Sequence, residues 1–282
     1  MALPTTSKKI PLTLLLFSAS ACGSLAVGAC SAFGDAEGPP PAADVVDPEA
    51  PIIPDATVPD TSVADSADGD GESPCVASPP GLVAWWTGDD TLEDHEKRHH
   101  ATSTGMPTFH PGKHGSAFKF PESATTSPIL VSDAPGLDFE TGLTLEAWIR
   151  PDRADQDARI VDKITAGEHD GYLLDLEGGH LRLIVKDKLI RSPMTLGPDL
   201  VHVAGTFDSQ GTGRLYVDGV EVVSANTGVQ AIPKNDLPLT IGSTSKKLMV
   251  FNGIIDELAV YDRALTAQEV AAIARAPQGR CK

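Results

Sequence analysis

Beyond residue 80 the chain reads as short runs in which apolar and polar residues alternate, separated by turn residues such as Gly, Pro, Asn and Asp. "LVAWW", "SAFKF", "PILVS", "LTLEAWIR", "RIVDKI", "GYLLDL", "HLRLIV", "VHVAGTF", "RLYVDG", "VEVVS", "LPLTIG" and "IIDELAVY" are twelve such runs. A period of two over four to eight residues predicts strands, and the near absence of helical stretches between them predicts antiparallel sheets rather than βαβ units. In "LTLEAWIR", Leu143, Leu145, Ala147 and Ile149 share one face and must be core. Thr144, Glu146, Trp148 and Arg150 share the other, which is either a second packed layer or a ligand-facing surface. Gly178 and Gly179, and then Asp218 and Gly219, sit between alternating runs as two-residue hairpin turns, since those residues tolerate the positive φ angles such turns need. One helix is predicted near the end. Thr266 and Glu269 form a T-x-x-E capping box, and Val270, Ile273 and Ala274 make one apolar stripe, expected to pack on a sheet edge.

The first 75 residues have a different texture. Lys8 and Lys9 precede "IPLTLLLFSASACGSLAVGA", a positive segment followed by an apolar one that ends in small residues, as in an export signal over residues 1–29. A membrane-spanning helix is the competing reading, disfavoured by the many Ser, Gly and Ala residues. "VGAC" resembles a bacterial lipobox, with Cys30 as the lipidated residue and Cys22 as a second possibility. Residues 31–74 hold eleven Asp or Glu, eight Pro and no Lys or Arg, so a disordered acidic linker over 30–75 is expected. Much of the formal charge of −17 resides there, which argues against a nucleic-acid partner. The expected location is the bacterial cell envelope, at the outer membrane or cell surface, with membrane contact only through the lipid.

Cys75 and Cys281 then flank the folded region, residues 76–282. In an oxidising compartment a bridge between them is expected; two free thiols are the alternative.

Taken in order, residues 81–275 resemble a LamG-like jelly-roll domain of the concanavalin A-like lectin/glucanase superfamily. "GLVAWWTGDD" is similar to the family's opening strand, "GKHGSAFKF" to its G-x-x-G-x-A-x-x-F segment, and "LTLEAWIRP" to its T-x-E-A-W-x-x-P strand. "HVAGTFD", "RLYVDG" and the closing "GIIDELAVYDRALTAQEV" follow in the expected sequence. The resemblance implies an all-β, antiparallel two-sheet sandwich with one short C-terminal helix. It also implies a structural calcium, with Asp256 and the first-loop residues Asp89, Asp90 and Asp94 as its ligands. The chain departs from the family at Leu200, where relatives carry Trp, and in "EDHEKRHHATSTG", which replaces a Gly/Asn-rich loop.

The adjacent Asp256 and Glu257 raise the question of hydrolysis, because glycosidases use paired carboxylates across a cleft. The glucanase signature E-x-D-x-x-E is absent, and neighbours on a regular strand point to opposite faces, so no enzyme is expected. The alternative to calcium is that Asp256 accepts backbone amides and Glu257 is solvated. His95 and His99 lie four residues apart but in a polar loop without a helical pattern, and a solvated loop is the better reading than zinc. Trp85 and Trp86 must face opposite sides of their strand. The expected function is a surface-tethered, non-catalytic recognition module for a glycan, with an extracellular protein as the alternative partner. Exposure of Trp148, Tyr172 and Tyr216 decides whether an aromatic sugar platform exists there.

Overall fold

The computed structural model describes residues 75–121, 128–165 and 167–282, which fall within one compact unit, Ser66–Lys282. Cys22, Cys30, the export segment and the acidic run up to residue 74 lie outside the described residues.

Every strand pairing is antiparallel. The first sheet contains β1 (Leu82–Trp86), β3 (Thr108–Pro111), β4 (Ser116–Phe120), β6 (Leu143–Pro151), β11 (Val201–Phe207), β12 (Thr212–Val217), β13 (Val220–Asn226) and β15 (Gly253–Tyr261). Its order is β13-β12-β11-β6-β15-β4-β3, with β1 paired to the second half of β15. The second sheet contains β2 (Ala101–Ser103), β5 (Ile129–Val131), β7 (Ala158–Lys163), β8 (Tyr172–Glu177), β9 (His180–Val185), β10 (Lys188–Thr195) and β14 (Leu239–Ile241). Its order is β10-β9-β8-β7-β14-β5-β2.

Alternation along the strands places one apolar face of each sheet against the other. Leu143, Leu145, Ala147 and Ile149 of β6 join Leu174, Leu176, Leu181, Leu183 and Val185 in that core. Both predicted hairpins form. Gly178 and Gly179 link β8 to β9 at φ 54° and 76°, and Asp218 and Gly219 link β12 to β13 at 49° and 76°. At Gly219 a Cβ would stand 2.8 Å from the Cα of Ala271, so glycine there serves both the turn and the close approach of the last helix.

That helix, α1 (Ala267–Arg275), carries the predicted capping box, with the Glu269 N–H donating to the Thr266 hydroxyl and the Glu269 carboxylate accepting from the Thr266 N–H. It covers a sheet face rather than an edge. Val270 and Ile273 form a second apolar cluster with Trp85, Ala204, Tyr216, Ala259 and Tyr261 on the outer side of the first sheet. Trp86, the neighbour of Trp85, belongs to the inter-sheet core, so the two tryptophans face opposite layers.

A Cys75–Cys281 disulfide, with Cα atoms 4.9 Å apart, ties the two ends of this unit across 206 residues. A short parallel bridge between Val76 and Arg280 runs beside it.

Candidate functional site

The outward face of the first sheet is sealed. Glu146 and Trp148, which the strand pattern left free to meet a ligand, are covered, as is His202 beside them. His202 Nε2 donates to Glu146 at 2.6 Å, and Arg280 pairs with the other oxygen of the same carboxylate. Burial acts to raise Glu146, but Arg280 and His202 outweigh it and hold the carboxyl below its usual range. Lys113 lies over the Trp148 ring at 4.2 Å from its centre.

The closing strand departs from regular alternation at the two carboxylates. Its register with β6 shifts between Asp256 and Ala259, and Glu257 takes a φ of 53°, as the extra residue of a β-bulge. Ile255 and Leu258 both reach the inner core, so Asp256 and Glu257 both turn outward. The expectation that they face opposite sides is therefore corrected: it assumed a period of two that a bulge interrupts. Asp256 Oδ2 accepts the N–H groups of Lys113 at 2.6 Å and His114 at 3.1 Å. Glu257 accepts the Trp85 indole N–H at 2.9 Å and lies beside Arg280 and Lys282. It is buried rather than solvated. Both carboxylates make folding contacts, and Glu257 borders only a narrow recess shared with His114, Glu146, Trp148 and Arg280.

The aspartates of the first loop are used in the same way. Asp94 accepts four backbone N–H groups, from Trp85, Glu96, Arg98 and His99, at 2.8–3.0 Å. Asp89 accepts from Ser116 N–H, and Asp90 from the Ser116 hydroxyl. A calcium ion requires several oxygen ligands converging on one point. Among the described residues no group of three or more His, Cys, Asp or Glu side chains is placed to hold a metal ion, and Asp90, Asp94 and Asp256 each have protein hydrogen-bond partners of their own. His95 instead packs on Trp85, with ring centres 4.5 Å apart.

A different surface offers a concavity. On the outer side of the second sheet, a depression of about 240 Å³ is lined by Arg159, Ile164, Leu173, Ile184, Lys186 and Leu189, among others. Its floor is braced by a buried ionic ladder. Arg159 pairs with Asp162 at 2.9 Å and with Asp175, and Arg182 grips Asp175 with two N–H bonds of 2.8 and 2.7 Å. Burial raises Asp162 to about 6, against the pull of Arg159. Burial also raises Asp175, opposed by Arg182 and Arg159. Paired in this way, each charge fixes the rotamer of the next, and the floor is rigid. Lys186 and the half-exposed Leu189 stand at the rim. Sequence reading missed this site, because Arg159 and Asp162 share a face only through a register shift in β7, and only sheet pairing brings Asp175 and Arg182 beside them. Trp148, Tyr172 and Tyr216 are 6, 2 and 1 % exposed, so they form no aromatic platform.

The chain belongs to the Concanavalin A-like lectin/glucanases superfamily, whose laminin G-type model matches residues 123–271. No curated protein sequence matches it. Among solved structures, domain 4 of AbnA, a GH43 extracellular arabinanase from Geobacillus stearothermophilus in complex with arabinotriose, is 20% identical with a TM-score of 0.56. That match covers 69% of this chain and 98% of that one. The binding domain of Paraclostridial Mosquitocidal Protein 1 is 19% identical, with a TM-score of 0.56 and coverage of 69% and 52%. A botulinum neurotoxin type C structure, described by its dependence on two ganglioside molecules for cell entry, is 12% identical, with a TM-score of 0.58 and coverage of 70% and 51%. The chain thus spans about half the length of the toxin chains it matches. At these identities the likeness is one of fold, and the neighbours are mostly binding domains.

Proposed function

We propose that this chain is a non-catalytic recognition module, tethered to the bacterial cell envelope through Cys30, and that its ligand is a glycan held in the depression on the second sheet. The observation that carries the reading is the lining of that depression: Arg159, held in place by Asp162 and Asp175 beneath it, with Glu168, Lys186 and Asp187 beside Leu173, Ile184 and Leu189. Sugars present hydroxyl edges, which suit fixed charged hydrogen-bonding groups, and C–H faces, which suit aliphatic side chains. The arabinanase domain whose structure is in complex with arabinotriose supports the ligand class. Hydrolysis finds no support, since Asp256 and Glu257 are engaged in folding contacts.

An extracellular protein partner is the second reading. The burial of Trp148, Tyr172 and Tyr216 favours it by removing an aromatic stacking surface, and a related toxin binding domain is in complex with rat synaptotagmin II. A glycan array probed with the full mature chain separates the two. Binding to a defined glycan, lost in Leu189→Asp, supports the first reading. A blank array together with capture of one specific extracellular protein replaces it with the second.

A further inference from the structure

Arg280 is 3 % exposed, and both terminal nitrogens of its guanidinium group are engaged, while its buried Nε has no hydrogen-bond partner. One terminal nitrogen pairs with Glu146 and donates to the Tyr261 hydroxyl at 3.2 Å. The other donates to the Glu257 carbonyl at 2.8 Å and lies 3.5 Å from the Glu257 carboxylate. The guanidinium carbon stands 4.4 Å from the centre of the Trp85 ring. Two carboxylates at the edge of a planar cation and an aromatic ring on its face discriminate a guanidinium from an ammonium, which has neither the fork nor the flat surface.

The receptor and its occupant have different structural status. Glu146 lies on β6, Trp85 on β1, and Glu257 and Tyr261 on β15, three hydrogen-bonded neighbours within one sheet. Arg280 comes from the seven residues after α1, a strap pinned by the Cys75–Cys281 bond next to the occupied position. The strap therefore behaves as a ligand carried on a tether, and a tether raises the local concentration of what it carries without adding a contact.

We infer that this is a guanidinium-recognition pocket that the chain fills in cis, and that the Cys75–Cys281 bond keeps it closed to arginine side chains offered by a peptide in trans. Opening requires a dithiol reductant. Two electrons pass from the reductant to the bridge, the S–S bond breaks, Cys75 and Cys281 each take up a proton as thiols, and the reductant departs as its own disulfide. The strap is then held only by exchangeable contacts. The pocket lies on the opposite sheet from the depression, so this inference does not depend on the proposed glycan site.

The test uses the full chain in two forms. Arg280→Ala vacates the pocket. There, n-propylguanidinium in excess of its Kd is expected to raise the thermal midpoint by about 2–5 °C, with n-propylammonium giving less than half that shift and disulfide-intact wild type giving none. Equal shifts from the two cations overturn guanidinium recognition. Cys75→Ser/Cys281→Ser keeps Arg280 but frees the strap. A labelled peptide Ala-Pro-Gln-Gly-Arg-Ser-Lys is expected to bind this variant at least tenfold more tightly than it binds disulfide-intact wild type, and tenfold more tightly than the same peptide with Lys for Arg. Equal binding to both proteins overturns the closing role of the disulfide. The peptide comparison decides the matter alone if Arg280→Ala does not fold.

Discussion

Asp256 accepts the backbone N–H of Lys113 at 2.6 Å, joining the closing strand to a turn 143 residues earlier. The same oxygen accepts the next N–H, so one buried carboxylate fixes the β3–β4 turn over the bulge in β15. Asp256→Ala leaves both N–H groups without this acceptor and is expected to cost about 1–3 kcal/mol, lowering the thermal midpoint by several degrees. Asp256→Asn retains an oxygen for the pair and should lose less. If the Lys113 and His114 amides are the whole of what holds Asp256, EDTA should move neither variant nor wild type. A fall in the wild-type midpoint on chelation, absent in Asp256→Ala, would restore calcium to this site.

The same residue sets a pH dependence. Burial raises Asp256 to about 7; the His114 and Lys113 amides oppose it, and Glu257 adds to it. The native state therefore keeps a proton that the unfolded chain releases near its ordinary value of 3.8. That stabilisation is fully present below 3.8 and is lost as pH rises through about 7. Asp162, raised to about 6, acts with the same sign. Urea unfolding of wild type and Asp256→Asn between pH 4 and 7.5 checks this. The stability of wild type relative to the variant should fall across the window by up to about 1.4 kcal/mol per pH unit. A constant difference would show that Asp256 ionises alike in both states.

The cap of the final helix should show the opposite sign. A hydrogen bond from Arg263 does most to hold Glu269 down at about 2, with burial opposing and Thr266 assisting. Its contribution is present above the ordinary 4.5 and is lost as pH falls through about 2. Glu269→Gln is expected to cost on the order of 1 kcal/mol at pH 7, since the pair is partly exposed, and nothing below pH 2. Thr266→Ala should cost about 1 kcal/mol at either pH. Thermal melts of both variants at pH 7 and in strong acid make the comparison.

Stability and binding should separate on the second sheet. Arg182→Ala removes the bidentate partner of Asp175, whose side chain is inaccessible to solvent, and should destabilise by about 3 kcal/mol. Leu189→Asp alters an exposed rim position and should stay within about 0.5 kcal/mol of wild type while abolishing ligand uptake. Paired denaturation and binding measurements test the site directly. Undiminished binding by Leu189→Asp would move the ligand elsewhere.

Much of this architecture is legible in the chain. The twelve alternating runs all fall on strands, because a period of two is a local property that needs no partner. The Asp218–Gly219 turn and the Thr266–Glu269 box are local for the same reason: each satisfies its own backbone within four residues. Strands β2, β3 and β10 escape such reading. The first two are three and four residues long on sheet edges, and β10 contains Pro193, which an edge strand accommodates because one side needs no ladder hydrogen bond.

By itself, then, the sequence determined an antiparallel sandwich, its inner faces, its main turns and the cap of its one helix. Each of these depends on steric and hydrogen-bonding preferences spanning a few residues. Tertiary structure alone decided what the polar positions do. Asp94 and Asp256 find backbone amides, Glu146 and Glu257 receive Arg280, and Arg159, Asp175 and Arg182 meet across three strands. A buried charge is tolerable only beside its partner. Those partners lie up to 143 residues away, brought within reach by strand order, by a bulge that breaks the alternation, and by a strap returning over the sheet.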